Sequence, residues 1–241
     1  MRRRPTLVDN VETLAHIALI ARFGPAWFRQ AGLPEAPGTM LATVSGAVDH
    51  PGVYEIEVGT PIGDVLAASR VREGVAAVLV GGYFGTWHEL RAVAGLPISK
   101  EWLQRVGASP GAGVLAALPQ AACGLAETAR VLGYLAGQSA GQCGPCAFGL
   151  PAIAEDFAQL ALGRPSGAVL ERLDRRLGAL PGRGACRHPD GAVRLAASAL
   201  AAFAPDAAAH ARHRPCAAAV RGAADGGVLP IPRPWKEGEW N

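Results

Sequence analysis

Three of the five cysteines stand where they could share a metal. Cys143 and Cys146 form a C-x-x-C in the run Ser139-Ala140-Gly141-Gln142-Cys143-Gly144-Pro145-Cys146. Cys186 follows forty residues after Cys146, in Gly184-Ala185-Cys186-Arg187-His188-Pro189. Two thiolates at this spacing on a Gly/Pro loop can reach one centre together, and amide N–H groups at a helix start favour the thiolate form. Three chemistries remain open on spacing alone. A [4Fe–4S] cluster normally takes four cysteine thiolates. A structural zinc site takes Cys3His, with His188 available as the histidine. A free cysteine also serves simply as a small buried hydrophobe, with no metal at all. Cys123 reads as a core residue at a helix start, and Cys216 as an unpaired thiol in the C-terminal tail.

The elements that must position these thiols follow from periodicity. Val11, Leu14, Ile17, Ala18 and Phe28 recur at helical spacing and predict a helix over 8–30, capped by Asp9 or Asn10. Residues 32–38, with Pro34 and Pro37, read as a linker. Strands are predicted at 41–48 and 53–58 around the turn Asp49-His50-Pro51-Gly52, then a helix at 60–69 and a buried strand at 76–80. Strand–strand–helix–strand in so short a span is a β-grasp-like pattern. From residue 121 on, apolar recurrence predicts four helices at 122–137, 146–162, 167–180 and 189–204, with no further strand, and short Gly/Pro loops between them suggest a bundle. Cys146 then opens the second helix and Cys186 precedes the fourth. In an antiparallel bundle those two starts share one end, so the three sulfurs converge. The expected class is α+β: a small β-grasp-like domain over 39–100, then an all-α four-helix bundle over 101–205. An N-terminal helix and linker at 1–38 precede them, and a flexible tail at 206–241 follows.

Bulk composition excludes several alternatives. The 241 residues are 50% apolar and 18% charged, with mean hydropathy +0.19, so a sizeable core is available. Twenty-three basic residues against twenty acidic ones leave a net charge of +3, with no basic cluster suited to nucleic acid. No apolar run is long enough for a membrane span. Met1-Arg2-Arg3-Arg4 is followed by no apolar stretch of the kind an export signal needs. A cytoplasmic protein is therefore expected, and its odd cysteine count points to metal or redox use over disulfides. His16, His50 and His88 have no ligand spacing. Tyr83, Phe84 and Trp87, after Gly81-Gly82, read as packing on a sheet or as the lining of a pocket. Arg183 and Arg187 flank Cys186, as solvated side chains or as charges that raise the potential of a nearby centre.

Several motifs also fall in a familiar order. Pro5-Thr6-Leu7-Val8-Asp9-Asn10-Val11-Glu12-Thr13-Leu14, followed by Trp27-Phe28, resembles a segment of the NADH-binding flavoprotein subunit family of respiratory complex I and its hydrogenase and formate dehydrogenase relatives. Val44-Ser45-Gly46 with Pro51-Gly52-Val53-Tyr54-Glu55 resembles that family's soluble-ligand-binding β-grasp domain. Ser139 to Cys146 resembles its S-C-G-Q-C-x-P-C cluster loop, and Gly182-Arg183-Gly184-Ala185-Cys186 the segment supplying its last ligand. The resemblance spans about residues 5–205. It implies an iron–sulfur electron-transfer module with a [4Fe–4S]-type cluster on Cys143, Cys146 and Cys186. It further implies oxidoreductase partners that bear a flavin and a ferredoxin-like centre, and a location in the cytoplasm or peripheral to a membrane complex. It makes Asp9, Asn10 and Glu12 flavin-side residues, although helix capping explains them equally, and 1–38 the edge of a flavin domain. Two departures matter. The family's first cluster cysteine is Ala140 here, which leaves Ser139, His188, Asp190, water or an external thiol for the fourth iron. No Gly-rich phosphate loop precedes Pro5, so FMN and NADH enter only if another domain or a partner supplies them, and the chain alone is not expected to oxidise NADH. The competing expectation is a non-redox scaffold with a Cys3His zinc site or no metal.

Overall fold

The computed structural model describes residues 5–222 and 227–232. Helix α1 runs Val11–Phe23, and the Asn10 side chain caps it by accepting the Thr13 N–H at 2.8 Å. The predicted helix to residue 30 breaks at Gly24, whose φ of 85° only glycine adopts freely, ahead of a single turn at Pro25–Phe28. The pyrrolidine of Pro25 disfavours helical backbone at the residue before it. No residue of α1 is buried, and Val11 and Ile17 are 82% and 53% exposed, so the apolar stripe read from the sequence faces outward. The expected linker contains a small hairpin that pairs Gly32–Leu33 with Ala36–Pro37.

Five strands form the sheet: β1 (Thr39–Gly46), β2 (Gly52–Glu57), β3 (Val75–Val80), β4 (Thr86–Glu89) and β5 (Val114–Pro119). Their order is β2-β1-β5-β3-β4; β1 and β5 are parallel and the other pairs antiparallel. Helix α2 (Ile62–Ala68) packs Ile62, Val65 and Leu66 onto one face. The sequence reading missed β4 and β5. Val-Leu-Ala-Ala-Leu-Pro is rich in helix formers, and strand preference depends on what the side chains pack against. Because β5 is the central strand, the sheet extends past the expected limit at residue 100.

Alternation along β3 and β5 divides two cores. Val78, Val80, Leu115 and Ala117 face α2 together with Ala42 and Val44. Ala77, Leu79, Ala116 and Leu118 point the other way, with Trp87, into the helical half. Burial on both faces explains why these strands read as continuous apolar runs. That half contains α3 (Gly124–Gly137), α4 (Leu150–Ala161), α5 (Val169–Ala179) and α6 (His188–Ala202), within a few residues of the predicted limits. The bundle core is built on Leu125, Ile153, Phe157, Leu160, Leu173 and Leu195. Asp156 on α4 clamps α5 by pairing with Arg172 at 2.9 Å and with Arg176. Across the sheet–bundle junction, the Trp87 indole N–H donates to Thr128 Oγ1 at 2.9 Å. A side chain at Gly191 would meet the Phe84 ring at 2.3 Å, so α6 approaches the sheet closely there. The chain is thus α+β, and among the described residues no strand follows Pro119.

The expected flexible tail needs correction over its described part. Helix α7 (Ala204–Ala211) turns 88° from α6 and buries Ala207 and His210. A short helix at Ala217–Gly222 buries Ala219, and Leu229 is 2% exposed. Alanine-rich turns dock here because small side chains let backbones approach the bundle, and Glu127 on α3 accepts the N–H groups of Val228 and Leu229 at 2.9 and 2.8 Å. Residues 223–226 and 233–241 of that expectation lie outside the described residues. Among the described residues no single helix is long and apolar enough to cross a membrane.

Candidate metal centre

The C-x-x-C loop leaves the end of α3 and enters α4 through one π-helical turn, Pro145–Gly149. Such turns are rare and gather at functional sites. The Cys143 carbonyl accepts the N–H groups of Cys146 and Ala147 at 3.0 and 2.8 Å, so the loop is wound tightly before the helix begins. Cys143 is half-buried, Cys146 is 5% exposed and Cys186 is exposed. The backbone of Ala185, the neighbour of Cys186, is the main cause of a Cys143 thiol pKa below the usual value, and the Cys146 backbone adds to it. Cys146 goes the other way. Burial raises its pKa first, then its hydrogen bond to Cys143 and the nearby charges of Cys143 and Cys186. Cys143 and Cys146 are thus direct neighbours, and Cys186 lies within electrostatic range of Cys146.

The segment that bears Cys186 is held by a residue that the sequence suggests only as an oxygen donor for iron. Asp190, in the first turn of α6, accepts the Gly182 N–H at 2.9 Å and the Arg187 guanidinium at 2.9 Å. The Gly182 bond first, and Arg187 second, hold its carboxyl below the usual carboxylate range. Arg187 is therefore both solvated and paired. Of the fourth-ligand candidates, His188 engages Nε2 with the Leu135 carbonyl at 2.8 Å and meets Phe84 edge to face, which leaves Nδ1 as its free donor. Ser139 is half-buried at the loop start, and Ala140 beside it is exposed and offers no donor. Tyr83 and Phe84 line a cleft of about 610 Å³ with Leu135, Arg194 and Leu229, while Trp87 lies in the core.

The expected flavin-side residues are each engaged locally. Asp9 accepts the Asn10 N–H at 2.8 Å, Asn10 caps α1, and Glu12 accepts the Leu41 N–H of β1 at 2.7 Å. A second sulfur–nitrogen group escaped the sequence reading. Cys123, His210 and Cys216 place one ligand atom each within 4.8 Å of one another. Burial pushes the Cys123 thiol up to about 12. Its members are 87 and 6 residues apart along the chain, a spacing that no local motif would flag.

Comparison with known proteins gives this geometry a family. Residues 121–210 match the model of the NADH-ubiquinone oxidoreductase-F iron–sulfur binding region, and residues 41–70 match the SLBB domain. The NADH-quinone oxidoreductase-F protein of Escherichia coli (strain K12) is 31% identical over 207 residues, which cover 83% of this chain and 46% of that protein. The chain is homologous to the C-terminal half of the NADH-quinone oxidoreductase-F proteins. The NADH-quinone oxidoreductase-F 2 protein of Rhizobium meliloti (strain 1021) is 29% identical over 217 residues, 88% of this chain and 51% of its own length. The crystal structure of an NAD+-reducing [NiFe]-hydrogenase in the H2-reduced state aligns with a TM-score of 0.78 and 32% identity, covering 86% of this chain and 35% of that one. The chain spans about half the length of these two curated oxidoreductase-F relatives. Its iron–sulfur binding region begins before the C-x-x-C and ends after α6, so Cys143, Cys146 and Cys186 all fall inside it. The cofactor of that region is an iron–sulfur cluster of the [4Fe–4S] kind. The donor set fits three of the four irons of a cubane; at Ala140 the side chain offers nothing to the fourth.

Proposed function

We propose that Cys143, Cys146 and Cys186 ligate a [4Fe–4S]-type cluster through three thiolates, and that the chain is an electron-transfer module of an NADH-dehydrogenase-like oxidoreductase. When bound, the cluster takes up one electron at a time and passes it on. The observation that carries this reading is that all three cysteines lie within the matched iron–sulfur binding region, with the Ala185 backbone close enough to Cys143 to lower its thiol pKa. This chain's own residues do the positioning. The π-helical turn presents Cys146, with Cys143 just before it, Asp190 folds the segment around Cys186, and Leu135 fixes the His188 ring. The fourth iron would take water or another small donor.

Electrons would arrive from reduced flavin on another domain or partner subunit and leave to a ferredoxin-like carrier, in the cytoplasm or at the periphery of a membrane complex. FMN and NADH belong to such a partner in this reading. The groups of Asp9, Asn10 and Glu12 already have local partners, so any flavin contact would be an additional one.

The test is anaerobic purification followed by iron, sulfide and zinc analysis, with an electron paramagnetic resonance spectrum after dithionite reduction. About four irons and four sulfides per chain, with a reducible signal lost in Cys146→Ser, is the expected result. Stoichiometric zinc at the C-x-x-C without sulfide would replace this reading with the Cys3His scaffold.

A further inference from the structure

We propose that Cys123, His210 and Cys216 form a second, mononuclear metal site that takes a zinc-class ion and pins the C-terminal segment to the bundle. Cys123 is the N-cap residue of α3, His210 lies in the last turn of α7, and Cys216 directly precedes the helix at Ala217–Gly222. The iron–sulfur region's C-x-x-C follows the far end of α3, about 20 Å away along a fourteen-residue helix. The two centres therefore share no ligand.

Three observations carry the proposal. First, the ligand atoms lie within 4.8 Å of one another. Donors bound about 2.0–2.3 Å from a tetrahedral ion stand about 3.3–3.8 Å apart, so a contraction of at most about 1.5 Å closes the site. Second, the histidine is already oriented as a ligand. His210 is fully buried, its Nδ1–H donates to the Leu160 carbonyl at 3.2 Å, and Nε2 is left as the lone-pair donor. A backbone carbonyl on the other ring nitrogen is how metal-bound histidines are usually held. Nε2 now accepts the Cys216 N–H at 3.0 Å, an interaction the ion would displace. Third, the charge and donor types suit one class of ion. Two thiolates, a neutral imidazole and a divalent cation sum to zero, which a buried site tolerates. Soft sulfur donors select zinc-like ions over magnesium or calcium. Binding exchanges two thiol protons for one ion and leaves the fourth tetrahedral position to water.

The competing account gives His210 only a hydrogen-bonding task between the end of α4 and Cys216. Cobalt(II) and zinc(II) titration of the full chain, purified anaerobically with its cluster and stripped of loose metal by chelator, separates the two. One equivalent of cobalt should produce tetrahedral d–d bands and thiolate-to-cobalt charge transfer. Cys216→Ser, at a half-buried position in a turn, should weaken zinc binding by at least about 100-fold while iron and sulfide stay unchanged. His210→Gln should behave alike. Cys143→Ser should do the reverse, losing iron while the cobalt bands persist. Zinc should raise the Tm of the parent chain and not that of Cys216→Ser. The proposal is overturned if no stoichiometric cobalt binds, if the bands survive Cys216→Ser, if they vanish only with Cys143→Ser, or if Cys123 and Cys216 are isolated as a disulfide.

Discussion

At the scale of single residues, the centre is defined as much by what Ala140 lacks as by what the cysteines supply. An iron corner held by a weak oxygen or nitrogen donor is easily lost, and one fewer anionic ligand makes a cluster easier to reduce. Ala140→Cys should therefore slow iron loss in air by at least about 10-fold, and it should lower the reduction potential; the checks are timed iron assays and redox titration. Unchanged air sensitivity would mean that the new thiol does not face the open corner. Asp190 works through others, by tying Gly182 and Arg187 into the loop around Cys186. Asp190→Ala should cut cluster affinity by roughly 10-fold with little change in global stability, and Asp190→Asn, which keeps an acceptor for Gly182, should lose less. Chelator competition together with thermal melts measures both quantities.

At the scale of elements, the segment after α7 is held to α3 by one buried carboxylate. Glu127 is 2% exposed, accepts the backbone of Val228 and Leu229, and pairs with Arg130 at 2.8 Å. Removing it leaves two N–H groups without their acceptor and a half-shielded guanidinium without its partner. Glu127→Ala should cost about 2–4 kcal/mol in denaturant unfolding, and hydrogen exchange should rise at 227–232. Glu127→Gln, which retains an acceptor, should cost less. Strand β4 supplies the pH-dependent element. Burial disfavours the charged form of His88, so its pKa lies below the usual histidine value. Above the unfolded value of about 6.5 both states are neutral and this contribution to stability is complete. As pH falls below that, the unfolded chain takes up the proton first and stability is lost. The parent Tm should thus fall more steeply than that of His88→Gln between about pH 6.5 and 5, and parallel curves would show that His88 is not the group responsible.

At the scale of the molecule, β3 and β5 belong to both cores at once. Leu79 and Leu118 enter the bundle while Val78 and Leu115 enter the β-grasp core, and the Trp87–Thr128 bond bridges the two. Neither half can lose its packing without exposing strands that the other half needs. One cooperative thermal transition is expected for the full chain. Leu79→Ala should shift it by about 2–5 kcal/mol without splitting it. Two resolved calorimetric transitions in the parent chain would show that the halves unfold independently. On the other side of the sheet's edge, α1 contributes no buried residue and carries exposed Val11 and Ile17, an arrangement that adds little to this cooperative unit.

The sequence by itself determined what depends on local order. Helices α3 to α6, β1 to β3 and the turn between β1 and β2 carry their periodicities in contiguous residues, and the C-x-x-C with a later cysteine marks a metal region wherever the chain goes. Ala140 is equally plain, because a missing donor is a local fact. What only the tertiary structure decided depends on who faces whom. Strand β5 looks helical until its neighbours on both faces are known, and the outward stripe of α1 looks inward until packing is seen. The C-terminal turns read as loose because their burial rests on Glu127, about a hundred residues earlier, and not on their own composition. Cys123 and Cys216 read as a core residue and a stray thiol for the same reason. Ligands separated by most of a domain become a set only when α7 folds back on the start of α3, and no spacing rule encodes that return.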